Sequence, residues 1–561
     1  MAGRGFYGGL VAAALGVALV AGCSSGGGSG TGAGTGSATP GATAGSTAGW
    51  VALTPSAKGP VSSITWDLPD GEPTSLDPTQ SAAQPENTVV ANLCESLVRL
   101  TPQLTYEPGL ATSYSQPNPT TWVYDIRQGV HFWNGQPLTA GDVVYSLERN
   151  LSPSVASLWG DPFYTDVKSI KATGPYQVTV TLTQPDVVFN EMMATAAGAI
   201  GEASYIQAKG KSYGTAKGGL MCTGPYELQS WTPGSQLVIT KNPNYWDSAL
   251  QPKVGKITFL FITDPSTVTN GLVSGQIDGA YEVPISAVPT LRQTSVGKLY
   301  LGTSTEFAVL SFTTKAGPIR NPLIRKALSL TLNRQAIAST VFAGTAVPAY
   351  SLDFPSTWGY AKSTFQQGYN ALVQGDTTSL TEAKKLVAQA GSPKQALSML
   401  VSADDPGAVQ TALYVKSAAS QIGLTVNIVQ VPAAQSLSIQ FDPKARVAYD
   451  IMLQDVGYYD IPDPIEQALF SLQPGALFNY DSYTNAQVDK DIATAQGTSD
   501  PVARATLINQ LMAQAIGKDA ATVVLVNFAE RLFMNASITG APAGIPAYLY
   551  YPWAALVGSS K

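Results

Sequence analysis

The sequence is poor in the side chains that most hydrolases and metalloenzymes depend on. It has one histidine, His131, three cysteines, and only 12 % charged residues. No C-x-x-C or H-E-x-x-H spacing is present, which argues against a transition-metal site. No G-x-S-x-G accompanies His131, so a serine nucleophile has no obvious base. His131 lies in V-H-F-W, an alternating stretch where a histidine is expected to be packed or hydrogen-bonded. Basic runs are absent too, and the formal charge is −6; nucleic acid is not an expected partner. Beyond the N-terminus no stretch approaches the ~18 uninterrupted apolar residues of a membrane span, which counts against a channel or permease. Neither internal repeats nor a nucleotide-binding fingerprint is found.

What is present begins at the N-terminus. Arg4 precedes an uncharged apolar run from Leu10 to Ala21, too short for a hydrocarbon core, which needs roughly 20 residues, but suited to a secretory signal. It ends in L-V-A-G-C, Leu19 to Cys23. Small residues before a cysteine resemble the lipobox of bacterial lipoproteins, which makes Cys23 the expected lipidation site. An ordinary signal peptide that happens to contain a cysteine is the alternative. From Ser24 to Gly49 the chain is Gly, Ser, Thr and Ala apart from Pro40. Such a tract cannot bury enough apolar surface to offset its ordering entropy, so a flexible tether is expected, with folding starting near Val61.

The remaining chain, about 500 residues, exceeds the size at which one core keeps growing, and two or three lobes are expected. Cys94 and Cys222 form an even pair for an oxidising compartment, so a disulfide between them is expected, with two buried thiols as the alternative. Strands and helices alternate, which indicates an α/β protein. Thr121 to Trp133 and Tyr176 to Leu182 alternate at period two. Thr139 reads as the cap of a helix to Asn150, with Asp142 complementing its dipole. Asn321 and Pro322 open another helix by the cap-then-proline rule, and Asn333 caps a third running to about Phe342. Lys256 to Ile262 reads as a buried strand, and Leu424 to Val431 and Ala521 to Phe528 read as strands, the latter central.

Several of these segments, taken together, resemble a known family. P-G-L-A-T-S-Y, then W-V-Y-D-I-R-Q-G-V-H-F-W-N-G-Q-P-L-T-A-G-D-V-V-Y-S-L (Pro108 to Leu147), is similar to the pattern of family 5 extracytoplasmic solute-binding proteins. These serve ABC importers of peptides and nickel complexes. C-T-G-P-Y-E-L through N-P-N-Y-W (Cys222 to Trp246) and N-P-L-I-R-K-A-L-S-L-T-L-N-R (Asn321 to Arg334) follow in the family's order. The resemblance implies a type II, cluster C periplasmic-binding-protein fold, in which two lobes hinge around a ligand and carry an extra inserted domain. The expected parts are a signal peptide (1–22), a lipidated Cys23 and disordered tether (23–60), and lobe I in three pieces (61–98, 221–312, 523–561). The inserted domain is 99–220 and lobe II 313–522, with crossing strands near Phe307 to Thr313 and Ala521 to Phe528.

Ligand chemistry is expected in Y-D-I-M-L-Q-D-V-G-Y-Y-D-I-P-D-P, Tyr449 to Pro464. The resemblance places Asp460 where peptide receptors hold the ligand's α-ammonium, with Asp463-Pro464 completing the motif. A carboxylate facing an ammonium in a closed cleft makes a charge-assisted hydrogen bond. Tyr458 and Tyr459 would supply flat walls with a polar tip. The alternative is a loop where Asp460 caps a helix and the tyrosines pack the interior. Leu453 stands where some oligopeptide receptors carry an arginine, and A-D-D-P-G-A-V (Ala403 to Val409) lacks the arginine of dipeptide receptors. An ammonium partner is therefore visible, and a carboxylate partner is not.

The resulting expectation is a non-catalytic, substrate-binding lipoprotein of an ABC importer, without a cofactor or metal. Its partners would be a peptide or other small-molecule ligand and the permease subunits in the membrane; it would be monomeric and lipid-anchored outside the cell membrane. The alternatives are an exported carboxylate-based hydrolase, which needs two carboxyls roughly 5–9.5 Å apart for glycoside chemistry, and a receptor that senses its ligand without transport.

Overall fold

The structure is a computed structural model and describes Thr47 and residues 49–561. The signal peptide, Cys23 and the tract to residue 46 lie outside the described residues.

Three sheets organise the chain. The first has seven strands, in the order Gly297–Gly302, Glu530–Asn535, Gly279–Ala280, Val61–Asp67, Val254–Leu260, Gln236–Lys241 and Tyr226–Thr232. Val61–Asp67 runs parallel to Val254–Leu260 and to Gly279–Ala280, and the remaining pairings are antiparallel. The second has six strands, in the order Ala346–Pro348, Thr522–Phe528, Phe307–Phe312, Ile451–Gly457, Leu397–Ser402 and Val426–Val431. The third is a four-stranded antiparallel sheet within the inserted segment, Ala111–Asn118, Thr121–Ile126, Gln177–Leu182 and Val167–Gly174. Two large sheets, each with its own helices, are the two lobes.

Local chemistry explains the elements. Thr522–Phe528 (T-V-V-L-V-N-F) is buried at every position, as a β-branched run in a covered sheet should be. Thr139 and Asp142 form a reciprocal capping box at the helix Ala140–Glu148. Asn321 caps Pro322–Thr331 and Asn333 caps Arg334–Ala336, whose continuation to Val341 is a π-helical turn. Trp66, Tyr281, Tyr548 and Trp553 form an aromatic cluster in the first lobe, with Tyr281 and Tyr548 stacked at 3.9 Å. Cys94 and Cys222 are joined in a disulfide. Cys94 ends the helix Gln84–Leu93, so the bond ties together the points where the inserted segment leaves and re-enters the first lobe.

Three sequence expectations change. Residues 50–60 belong to the folded first lobe instead of the tether: Val51 bridges Gly302, Leu53 bridges Pro542, and Thr54 Oγ1 donates to the Ala541 carbonyl at 2.9 Å. Phe307–Phe312 and Thr522–Phe528 are neighbours within the second sheet; they do not themselves cross. The chain changes sheet just before one, over 303–306, and just after the other, at Ala529, so the expected boundaries at 312 and 522 move outward. Finally, the strand expected to run to Trp133 stops at Ile126. Gly129 adopts a left-handed backbone (φ 77°) that turns the chain, and His131 is exposed, bridging only Pro137.

Candidate functional site

The two crossings are held together by Asn527, whose Nδ2 donates to the Ser304 and Glu306 carbonyls, each at 2.7 Å. Beside them the loop 458–464 leaves the Ile451–Gly457 strand and meets the first lobe. Thr305 Oγ1 donates to the Tyr459 carbonyl at 2.7 Å and fixes the loop to the first crossing.

Asp460 sits at the seam between lobes. Its carboxylate accepts a hydrogen bond from the Tyr550 hydroxyl of the first lobe, which in turn accepts from Asn87 Nδ2 at 3.3 Å. Glu466, on the helix Ile465–Ser471, accepts from the Asp460 and Ile461 amides, both at 3.1 Å. Burial pushes Asp460 up to about 6, against the lowering effect of the Tyr550 hydrogen bond. Burial and the neighbouring Asp460 charge push Glu466 up as well. Tyr458 also spans the seam, donating to the Ala82 carbonyl at 3.0 Å.

The other two candidates point inward. Tyr459 is fully buried in the second lobe, packed against Phe307 and Phe354 at 5.7 Å each, with its hydroxyl on the Leu352 carbonyl. Alternation along an extended loop sends Tyr458 outward and Tyr459 into the core. Asp463 is likewise fully buried: its Oδ1 accepts from Tyr360 and from the Ile465 amide at 3.0 Å, and its Oδ2 lies 2.9 Å from Arg504. Arg504 also pairs with Glu191 of the inserted segment at 2.8 Å. Asp463 therefore belongs to an ion-pair network that joins the second lobe to the inserted segment.

Sequence reasoning missed most of the opposing wall. Tyr550 stacks edge-on with Trp159, Trp159 packs against Phe163, and Phe163 meets Phe470 of the second lobe at 5.4 Å. Gln84 Nε2 donates to Glu306 Oε1 at 2.7 Å, and Arg531 pairs with Glu282. These residues come from segments far apart in the chain, so no local spacing announces them. The arrangement offers carboxylates and aromatic faces between the two halves. That suits binding of a solute with positive charge.

The family model for bacterial extracellular solute-binding proteins, family 5 middle, matches residues 105–475. The chain belongs to this family. Over 460 residues it is 27 % identical to the glutathione-binding protein GsiB of Salmonella typhimurium (strain LT2), covering 81 % of this chain and 86 % of that protein. Among solved structures it is similar to the ABC transporter substrate-binding protein CtaP of Listeria monocytogenes (TM-score 0.76, 20 % identity, 90 % of this chain and 100 % of that one). It is also similar to the periplasmic binding protein DppA of Helicobacter pylori in complex with the peptide STSA (TM-score 0.74, 21 % identity, 90 % and 99 %). These likenesses carry the fold: the seven- and six-stranded sheets are the two lobes of a type II solute-binding protein. No helix among the described residues is long and apolar enough to cross a membrane.

Proposed function

We propose that this family 5 protein is the substrate-binding lipoprotein of an ABC importer, holding a peptide or related amine-bearing solute between its lobes and releasing it to a membrane permease. The observation that carries the reading is the position of Asp460. The Asp460 and Ile461 amides donate to Glu466 and hold the loop at the seam, and the Asp460 carboxylate accepts from the Tyr550 hydroxyl of the opposite lobe. An α-ammonium with three donors replaces one neutral hydroxyl with a charge-assisted bond. A ligand that satisfies both lobes at once favours the closed form by its differential affinity. No bond of the solute is made or broken. Similarity to the glutathione-binding protein GsiB and to a receptor solved with a peptide agrees with a peptide-sized ligand. Cys23 would carry the lipid anchor.

The test is isothermal titration with a short peptide and its N-acetylated form. The free amine is expected to bind at least about tenfold more tightly, the scale of a charged hydrogen bond, and Asp460→Asn to abolish that difference. Equal affinities for the two forms in the native protein refute the assignment.

A further inference from the structure

The second lobe holds a cavity of about 180 Å3 lined by strands of the six-stranded sheet and by the helices Ala433–Phe441 and Ile465–Ser471. Phe307, Val309, Leu352, Leu437, Phe441 and Leu472 supply its apolar walls. The polar side chains between them bond to one another. Ser311 Oγ donates to Gln454 Oε1 at 2.6 Å, and Gln454 Nε2 donates to Gln440 Oε1 at 3.2 Å and to the Tyr480 hydroxyl at 3.3 Å. Among the described lining residues Asp481 alone is charged, and it is committed to Arg325 at 2.9 Å. A charged group entering here would lose its hydration without gaining a free counter-charge. The chemistry favours an uncharged, apolar guest.

Two further observations point to the solute as that guest. Leu437 and Phe441 stand one turn apart on Ala433–Phe441 and share a face; both line the cavity, yet they are 55 % and 48 % exposed. Large apolar side chains left half in water at the rim of a cavity gain from any apolar group that covers them. The cavity also adjoins the proposed amine site. Gln467, one of its lining residues, donates to the carbonyl of Tyr458 at 3.2 Å, two positions before Asp460. Phe307, at the first crossing, lines the cavity and packs against Tyr459. Volume sets the size of the guest. An apolar cavity of about 150 Å3 holds benzene, so about 180 Å3 admits a phenyl ring or a large aliphatic side chain.

We infer that this cavity is the subsite for an uncharged, bulky side chain of the solute, so that the preferred ligands are peptides carrying an aromatic or large aliphatic residue near the free amine. This rests on the peptide reading above and narrows it.

The test is isothermal titration of the full chain with Phe-Ala-Ala, Ala-Phe-Ala and Ala-Ala-Ala. One of the two phenylalanine peptides is expected to bind roughly ten- to hundredfold more tightly than Ala-Ala-Ala, the scale of burying a phenyl ring. Leu437→Glu sets a charge at the cavity rim and should cut that preference to a few-fold. Leu437 is exposed, so its replacement leaves the core intact. Equal affinity for the three peptides, or a preference unchanged in Leu437→Glu, overturns the inference and leaves the peptide reading standing. A phenylalanine preference that survives N-acetylation at undiminished affinity supports the cavity and overturns the amine site at Asp460. No binding by any of the three overturns both.

Discussion

Asp460 of the second lobe accepts a hydrogen bond from Tyr550 of the first, so the carboxylate most suited to an ammonium is also a contact between the lobes. On the proposed function, an ammonium of the solute would take the place of this hydroxyl. The same carboxylate would then link ligand binding to lobe closure.

Because burial raises Asp460 to about 6, its charge, and with it amine binding, depends on pH. Affinity for a free-amine peptide should fall as pH drops through 6, and fall again as pH rises through about 7.7–8, where the ligand's own α-ammonium loses its proton. The Tyr550 hydrogen bond favours the ionised form, so Tyr550→Phe should move the midpoint upward. Titrations between pH 4.5 and 8 read both effects, and a flat profile rules out Asp460 as the ammonium partner.

Stability should fall as pH rises. Asp67, Asp353 and Glu191 are raised by burial to about 7, and Asp186 to about 6. A carboxyl whose folded pKa exceeds its unfolded value binds more protons folded than unfolded. Its stabilising effect is complete below the unfolded pKa, about 4, and is lost as pH climbs through the folded value. The melting temperature without ligand is therefore expected to be higher at pH 5 than at pH 8. Asp353 is fully buried with neither carboxyl oxygen partnered. Asp353→Asn should recover on the order of 2–4 kcal/mol at pH 8 and much less at pH 5.

Arg504 lies between Asp463 and Glu191, at 2.9 and 2.8 Å, with all three side chains largely buried. Arg504→Met leaves two buried carboxyls without their cation, which should cost about 3–5 kcal/mol. Small-angle scattering should also show a changed profile, since Glu191 stands on the inserted segment and Arg504 on the second lobe. Unchanged denaturation and scattering profiles would remove this network from the account of closure.

The Cys94–Cys222 bond closes 128 residues of chain. Its reduction should lower stability by about 2–5 kcal/mol, read from urea denaturation with and without reductant. Free-thiol titration of the denatured, unreduced protein should find neither cysteine reactive.

Elements fixed by neighbours in sequence were legible. The Thr139–Asp142 capping box and the Asn321 and Asn333 caps depend on contacts within a few residues. The crossings were misplaced because Phe307–Phe312 and Thr522–Phe528 are buried throughout, and a fully apolar strand carries no mark of which sheet holds it. In the site, the motif around Asp460 led to the seam but did not separate Tyr458 from Tyr459, whose fates depend on loop direction. Nor did Asp463 reveal that its partner would be Arg504, forty-one positions onward.

Denaturing elution and mass spectrometry of the solute that co-purifies with the protein, repeated after incubation with a defined peptide, address the central claim most directly. An amine-bearing peptide recovered at its original mass is the expected result. Cleaved or otherwise altered products accumulating with time would contradict it.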